Sequence, residues 1–483
     1  MVLCFDLLSA ADWPMRGKDG TRNAVSLEKN APVEWEIGTL RGELPEKRSR
    51  NIRWSARLGS VTWCDPVIAD GLVWVGTNND QPRNARHTQD AGVLMCFRQR
   101  DGKFLYQHVS PRLKQGTRLD WPFSGLASSP LIEGNRLWFC NNRHEIICLD
   151  IRPLHTSGGE PRVVWKVDMR KELGVVPTAV MIGNNAIQCS IASYDALIYV
   201  QTGNARYVDK VPAPEAPSLV CLDKRTGRTV WTDNSPGGRI LDVQHGSPLV
   251  VEVDGSGQAI MGQGDGWLRS FDALTGQLLW EFDINLKAPG PKSITRGNWN
   301  YFIATPVYYG NRIYVGSGRH ADWGSGPGRL CCIDPTRRGD ISSELDDGSG
   351  RGKPNPNSGL VWEYLGMGGD PMHRTMSSVT IHNNFIVAPD HGGLVHCLDA
   401  RTGRRYWTHD VAAKIFCSSL IADGKVYVGD EDGDLVVLEL SQEKKQLIEH
   451  NFSAPIYSSP VYSNGVLYVA TYEYLHAIEQ ERR

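Results

Sequence analysis

The sequence predicts an all-β protein: an eight-bladed β-propeller of four-stranded antiparallel blades, closed by an N-terminal strand. Three observations carry this reading. A pattern of four short apolar runs is copied eight times along the 483 residues. A Trp recurs at one place in the fourth run of most copies. The last copy lacks a fourth run, while a lone one stands ahead of the first copy. Self-similarity at a period of some tens of residues marks an architecture in which no unit buries its apolar faces alone.

Two copies display the pattern most plainly. Residues 246–283 contain GSPLVVEV and QAIMGQGDGWLRSFDALTGQLLWEFD, and residues 377–410 read SSVTIHNNFIVAPDHGGLVHCLDARTGRRYWTHD. The first run opens with small residues and often Pro. The second is β-branched or aromatic. The third ends in an apolar residue followed by Asp, then T-G, and a Trp stands four residues after that Gly. The template recurs at 65–107, 128–168, 189–233, 247–283, 305–363, 378–410, 418–450 and 458–479. Asp150, Asp223, Asp272, Asp334, Asp399, Glu439 and Glu479 end the third runs, with Arg98 in the first copy. Short runs rich in Val, Ile, Tyr and Trp, bounded by Gly, Asn and Asp, read as strands. Asp70-Gly71, Asp423-Gly424 and Asn464-Gly465 signal hairpins between first and second strands, and Thr226-Gly227, Thr275-Gly276 and Thr402-Gly403 between third and fourth.

The lone run, NIRWSARLG at 51–59, looks like the fourth run VVWKVDMR at 163–170. It is therefore expected to complete the last blade and leave no open sheet edge. Residues 51–483 then form one propeller, with 1–50 an extension wrapping it. Trp54, Trp165, Trp231, Trp280, Trp362 and Trp407 hold the fourth-strand position, with Tyr106 as a substitute. Rings at a fixed radius can wedge between neighbouring sheets, each burying on the order of 150–250 Å². These six are read as inter-blade packing and not as a ligand platform.

Composition narrows the partners. Hydrophobic residues make up 41%, enough for a large core. Lys+Arg number 52 against Asp+Glu 54, a net charge of −2, which argues against nucleic acid. No stretch approaches the ~18–20 apolar residues that cross a bilayer as a helix. The opening MVLCFDLLSAA is apolar and ends in small residues, but it lacks a basic segment and is interrupted by Asp6, so it is not read as a secretory signal. The 11 cysteines follow neither a small disulfide framework nor a zinc spacing, and no C-x-x-C-H haem motif occurs. A monomer is expected.

The strand–D–x–x–T–G–x–x–x–W repeat resembles that of the quinoprotein alcohol dehydrogenase-like superfamily, over about residues 51–483. That superfamily includes pyrroloquinoline-quinone (PQQ)-dependent alcohol dehydrogenases and the non-enzymatic propeller lipoprotein of the bacterial outer-membrane β-barrel assembly machinery. The leader WPMRGKDGTRNAVS at 13–26 is similar to the lead-in of a planctomycete-type bacterial branch of PQQ-binding-like repeat proteins. The resemblance implies a periplasmic or other extracytoplasmic location, and either a quinone site or a protein-binding scaffold.

The dehydrogenase reading makes sharper demands, since those enzymes hold calcium against the quinone through Glu, Asn and Asp oxygens. Asp242 and Asn298 are candidate members here, but no Glu accompanies them. The enzymes also carry an adjacent-cysteine disulfide. Cys331-Cys332 matches it in form, yet Cys332 holds the repeat position shared with Cys148, Cys221 and Cys397, a buried packing site for a small apolar side chain. DEDGD at 430–434 lacks the Glu that closes an EF-hand loop and reads as a hairpin turn. A propeller acting on carbohydrate would need a carboxylate pair, and the funnel loops are short of carboxylates.

In a propeller, the loops leading into first strands and those joining second to third strands share one face. The insertions 78–92, 204–218, 286–303, 319–328 and 366–376 fall there; 151–162 and 335–359 face the other way, the latter reading as a mobile polar loop. Long loops on a rigid scaffold are where binding concentrates. Trp121, Gln244, His245, Arg296, Asn298, His373, Arg374 and Lys414 are expected to converge on the funnel, where the Arg and Lys side chains would suit an anion. The sequence thus points to a non-catalytic binding or scaffold propeller, with a protein partner or small anionic ligand on its loop-rich face. The alternative is a PQQ- and calcium-dependent alcohol or sugar dehydrogenase with a divergent cofactor site.

Overall fold

Strand burial explains the architecture. The second strand of the first repeat, Leu72–Asn78, is buried at every position, whereas a fourth strand such as Thr229–Asp233 is mostly exposed. A strand buried on both faces needs a neighbour sheet on each side. The computed structural model describes residues 12–41, 44–47, 49–113, 122–156, 158–177, 189–207, 209–287, 299–348 and 352–480. Its strands form eight blades, each ordered first to fourth from the axis outward. Blade 1 is Val67–Ala69, Leu72–Asn78, Ala91–Arg98 and Phe104–Pro111. Blades 2 to 7 follow at 131–168, 192–233, 249–283, 307–364, 380–410 and 420–451. Blade 8 takes Val461–Ser463, Val466–Ala470 and Tyr474–Glu479 from one end of the chain and Ile52–Arg57 from the other. Ile52–Arg57 pairs antiparallel with Tyr474–Glu479, and the Trp54 and Tyr468 rings lie 6.0 Å apart. The ring closes as the sequence predicts.

Two circles of hydrogen bonds hold the blades side by side. The inner one uses the residue that opens each first run. Backbone N–H groups donate around the axis: Ser129 to the Ser190 hydroxyl (3.1 Å), Ser190 to Ser247 (2.9 Å), Ser247 to Thr305 (3.3 Å), Thr305 to Ser378 (3.2 Å), Ser378 to Ser418 (2.9 Å) and Ser418 to Ser459 (3.0 Å). Ser459 N–H then donates to the Asp65 carboxylate at 2.7 Å, and the Ser129 hydroxyl donates to the Asp65 carbonyl at 3.1 Å. Blade 1 carries Asp where the others carry Ser or Thr, and the leader's Arg16 sits 3.2 Å from it.

The outer circle explains the D–x–x–T–G–x–x–x–W motif. Asp272 accepts from Thr275 N–H and Oγ at 2.8 Å each, which shapes the turn between third and fourth strands. The turn aims the carbonyl of Ala273 at the preceding blade, where the Trp231 indole N–H donates to it at 2.9 Å. Gly276 passes directly under that indole: a Cβ there would lie 2.6 Å from the ring. Trp54, Trp165, Trp362 and Trp407 donate likewise to Gln99, Lys224, Ala400 and Ser441 of the next blade, at 2.9–3.1 Å. Trp280 differs. It donates to the Gln258 side chain at 3.0 Å, and Gln258 donates onward to the carbonyl of Pro335 at 3.3 Å, the equivalent acceptor in blade 5.

The leader runs under the inner strands. Trp13 pairs with Ile68 of blade 1, the Pro14 carbonyl accepts from Ile132 of blade 2, and Arg22 donates to carbonyls of Ser190, Ile191 and Pro248 ahead of blades 3 and 4. Thr21, Asn23 and Val25 reach Tyr308, Ile381 and Ile421 of blades 5, 6 and 7, and Glu28 accepts from the Asn464 and Gly465 N–H groups of blade 8. Residues 13–28 thus touch all eight blades. The insertion 335–359 is partly built into the sheet and core. Gly339–Asp340 adds a parallel outer strand against Trp280 and Glu281, and Ile341 is fully buried in the same core as Trp280. Its apolar anchor, one Ile in a polar stretch, is too sparse to read as a strand.

Three predictions follow the packing. Trp231→Ala should cost about 3–5 kcal/mol in equilibrium unfolding. Gly71→Ala and Gly276→Ala both force a side chain into left-handed backbone (φ 74° and 75°). Gly71 faces nothing within 4 Å, so it should lose only about 1–2 kcal/mol, while Gly276→Ala should lose distinctly more because of the indole. Burial drives the imidazoles of His108 and His476 down to about 4 and that of His144 to about 3. The unfolded chain binds these protons near 6.5 and the folded chain does not, so melting temperature should fall as pH drops from about 6.5 towards 4.

Candidate functional site

The residues two before each member of the inner circle form a repeat position of their own. Trp63, Ala127, His245, Ile303, Met376, Phe416 and Tyr457 occupy it in blades 1, 2, 4, 5, 6, 7 and 8; the blade 3 member lies outside the described residues. Their side chains meet at the axis on the loop-rich face. Trp63 and Tyr457 rings lie 4.7 Å apart, Phe416 and Tyr457 stack at 4.1 Å, and Tyr472 adds an edge contact to Tyr457 at 4.8 Å. The cavity they line with Arg16 measures ≈ 30 Å³, room for about two waters. Of these, sequence reasoning singled out only His245 and missed the aromatic members. The available signal was the fixed offset from S-P or its equivalent: W-C-D-P, F-C-S-S, Y-S-S-P.

Among the eight funnel residues singled out from the sequence, Trp121, Arg296 and Asn298 lie outside the described residues. The other five do not converge on one ligand-sized space. Gln244 is buried and spans blades 3 and 4, donating to the Asn204 carbonyl (2.7 Å) and the Ser218 hydroxyl (3.0 Å). Arg374 is buried and spans blades 5 and 6, donating to Asn300 Oδ1 (3.0 Å) and the Trp323 carbonyl (3.1 Å). Lys414 is half exposed and lies 3.4 Å from Glu431. His373 Nδ1 lies 3.0 Å from the buried Asp390, which His396 Nε2 also contacts at 3.0 Å. Burial pushes the Asp390 carboxyl up, but the bonds from His396 and His373 outweigh it and hold it below its ordinary value. His245 alone faces the iris with neither ring nitrogen hydrogen-bonded, and burial lowers its imidazole to about 3.

Of the two candidate calcium ligands, Asn298 lies outside the described residues and Asp242 is engaged in the funnel wall. Asp242 accepts from Tyr301 Oη at 3.0 Å and Trp323 Nε1 at 2.9 Å on one carboxylate oxygen, so it braces the funnel wall. Among the described residues no group of three or more His, Cys, Asp or Glu side chains could hold a metal. Cys331 and Cys332 are free, buried and consecutive in the extended strand Leu330–Ile333, so they point to opposite faces and into different cores. Burial pushes both thiols up to about 12, which leaves them unreactive packing groups. The turn at 430–434 uses Asp430 to accept the N–H groups of Asp432 and Asp434, in the manner of a hairpin cap.

Comparison with known proteins agrees with this geometry. Solved structures with the same fold include BamB from Moraxella catarrhalis (14% identity, 89% of this chain and 99% of that one, TM-score 0.57). They also include the quinohemoprotein alcohol dehydrogenase from Comamonas testosteroni (12%, 98% and 81%, 0.62) and Sqt1 from Saccharomyces cerevisiae (11%, 89% and 99%, 0.54). At such identities the likeness extends to fold alone. No curated protein matches in sequence. The family model described as outer membrane protein assembly factor BamB matches residues 162–363, 353–446 and 391–481. With well over half of the chain matched, the protein belongs to this family of PQQ-like repeat propellers.

Proposed function

We propose that the protein is a non-catalytic propeller that docks a protein partner on its loop-rich face, outside the cytoplasm. The observation that carries this reading is a group of large apolar side chains left in water on the loops of that face: Phe123, Tyr207, Leu286, Leu365 and Met367 are 40–60% exposed. The other exposed apolar residues are scattered over strands of several blades (Val163, Val164, Val230, Leu278, Val361, Tyr474), the Leu274 turn and the leader's Leu27. Aromatic and Met side chains set on a rigid scaffold are the usual anchors of protein interfaces. Two are held in place by their backbones. Phe123 sits at φ 58°, with its N–H bound to Asp90 and its carbonyl to Asn78. Met367 tops a hairpin that Arg405 grips through the Met367 carbonyl (2.7 Å) and Asp370 (3.0 Å).

On the same face Lys414 is paired with Glu431, Arg374 is buried between blades 5 and 6 on neutral acceptors, and Arg296 lies outside the described residues. The family's description as an outer membrane assembly factor favours a scaffold over a dehydrogenase, and favours the extracytoplasmic location. Among the described residues, no helix is long and apolar enough to cross a membrane.

A photo-crosslinking residue placed singly at 123, 367, 230 and 274 in the native cell tests the face. One protein of fixed mass should be captured from 123 and 367 only; the capture from 367 should vanish when Phe123→Asp and Leu365→Asp are introduced, and that from 123 when Leu365→Asp is. Equal capture from 230 and 274 would contradict the assignment, as would a bound chromophore with alcohol-dependent dye reduction after adding quinone and Ca²⁺.

A further inference from the structure

Where the leader crosses under the inner circle, the axis narrows to a second cavity of ≈ 20 Å³. Arg16 and Arg22 line it from the leader side; Asp65, Thr305, Ser378 and Ser418 line it from the blades. We propose that this cavity is a binding site for a halide-sized anion, chloride in the cell, held by the two guanidinium groups and the three hydroxyls.

Charge balance is the first argument. Arg22 is 2% exposed, and four of its N–H contacts go to backbone carbonyls: Pro248, Arg16, Ser190 and Ile191. Carbonyl dipoles solvate a cation but do not neutralise it. Arg16 Nε is 3.2 Å from Asp65, the one carboxylate lining the cavity. Asp19, the leader's other acid nearby, is exposed and turned to Thr21. Two cations therefore face one anion among the described residues, and an unbalanced buried charge is costly unless a counter-ion shares the site.

Hydrogen-bond direction is the second. Thr305, Ser378 and Ser418 each accept a backbone N–H from the preceding blade. A hydroxyl that accepts in this way keeps its own proton to donate. The cavity wall thus presents O–H and N–H donors, with Asp65 already occupied by Arg16 and by Ser459 N–H. Size is the third: the space suits one ion or one to two waters, and is too small for a carboxylate or phosphate ligand. A bound ion would join the leader to blades 5, 6 and 7 through these hydroxyls.

Crystals grown with sodium bromide, measured at the bromine absorption edge, should show an anomalous peak on the axis within hydrogen-bonding distance of Arg16 and the ring hydroxyls. In solution the melting temperature should rise saturably with bromide and not with gluconate at equal ionic strength. Arg16→Gln should abolish the bromide response. Because that variant can also loosen the leader, Ser378→Ala provides a second arm that keeps every charge. It should raise the bromide concentration for half-saturation about 3- to 10-fold, the loss of one hydrogen bond. Absence of the axial peak, or a Ser378→Ala response equal to the wild type, would overturn the site. Water alone in the cavity would give the first of these results.

Discussion

Everything in this molecule depends on the requirement that each blade be covered on both of its faces. Second and third strands are buried at nearly every position, so a blade at the end of an open row would expose half of its core. A circle removes the ends. The protein meets the requirement at four radii: the closing strand Ile52–Arg57 at the rim of blade 8, the Trp-to-carbonyl bonds further round, the chain of N–H to hydroxyl bonds at the axis, and the leader beneath it. These devices are not independent. Asp65 receives the last N–H of the inner circle and also pairs with Arg16, so ring and leader meet at one side chain.

Blade 4 illustrates how the constraint survives a local change. The next blade replaces the T-G turn with the insertion 335–359, and Trp280 donates to Gln258 instead of to the equivalent carbonyl. Gln258 bridges the gap, and the insertion in turn contributes Gly339–Asp340 and Ile341 to cover that indole completely. The contact between blades persists although the residues that make it have changed.

Much of the fold is legible in the sequence because the repeat writes it eight times. Local signals, such as Asp-Gly hairpins and the alternation of the fourth strand, report contacts within one blade. Contacts between blades are less visible: Gly276 lies 45 residues beyond Trp231, and only the structure places one under the other. The candidate site was harder still. Arg374 and Gln244 have the chemistry of ligand-binding residues, but their partners are carbonyls and amides of the adjacent blade, which no single-copy reading reveals. Trp63, Phe416 and Tyr457, which close the funnel floor, look like ordinary loop residues until the copies are aligned on the small residues that follow them. With the axis filled from both sides, the proposed docking surface is the outer loops, where Phe123, Leu365 and Met367 stand in solvent.

Native-state hydrogen exchange tests toroidal closure most directly. If the circle is one cooperative unit, the amides of Ile52–Arg57 should open with the same free energy as those of Tyr474–Glu479 and of Trp267–Asp272 on the far side of the ring. Exchange of Ile52–Arg57 at a much lower opening energy, with blade 4 unaffected, would contradict the account.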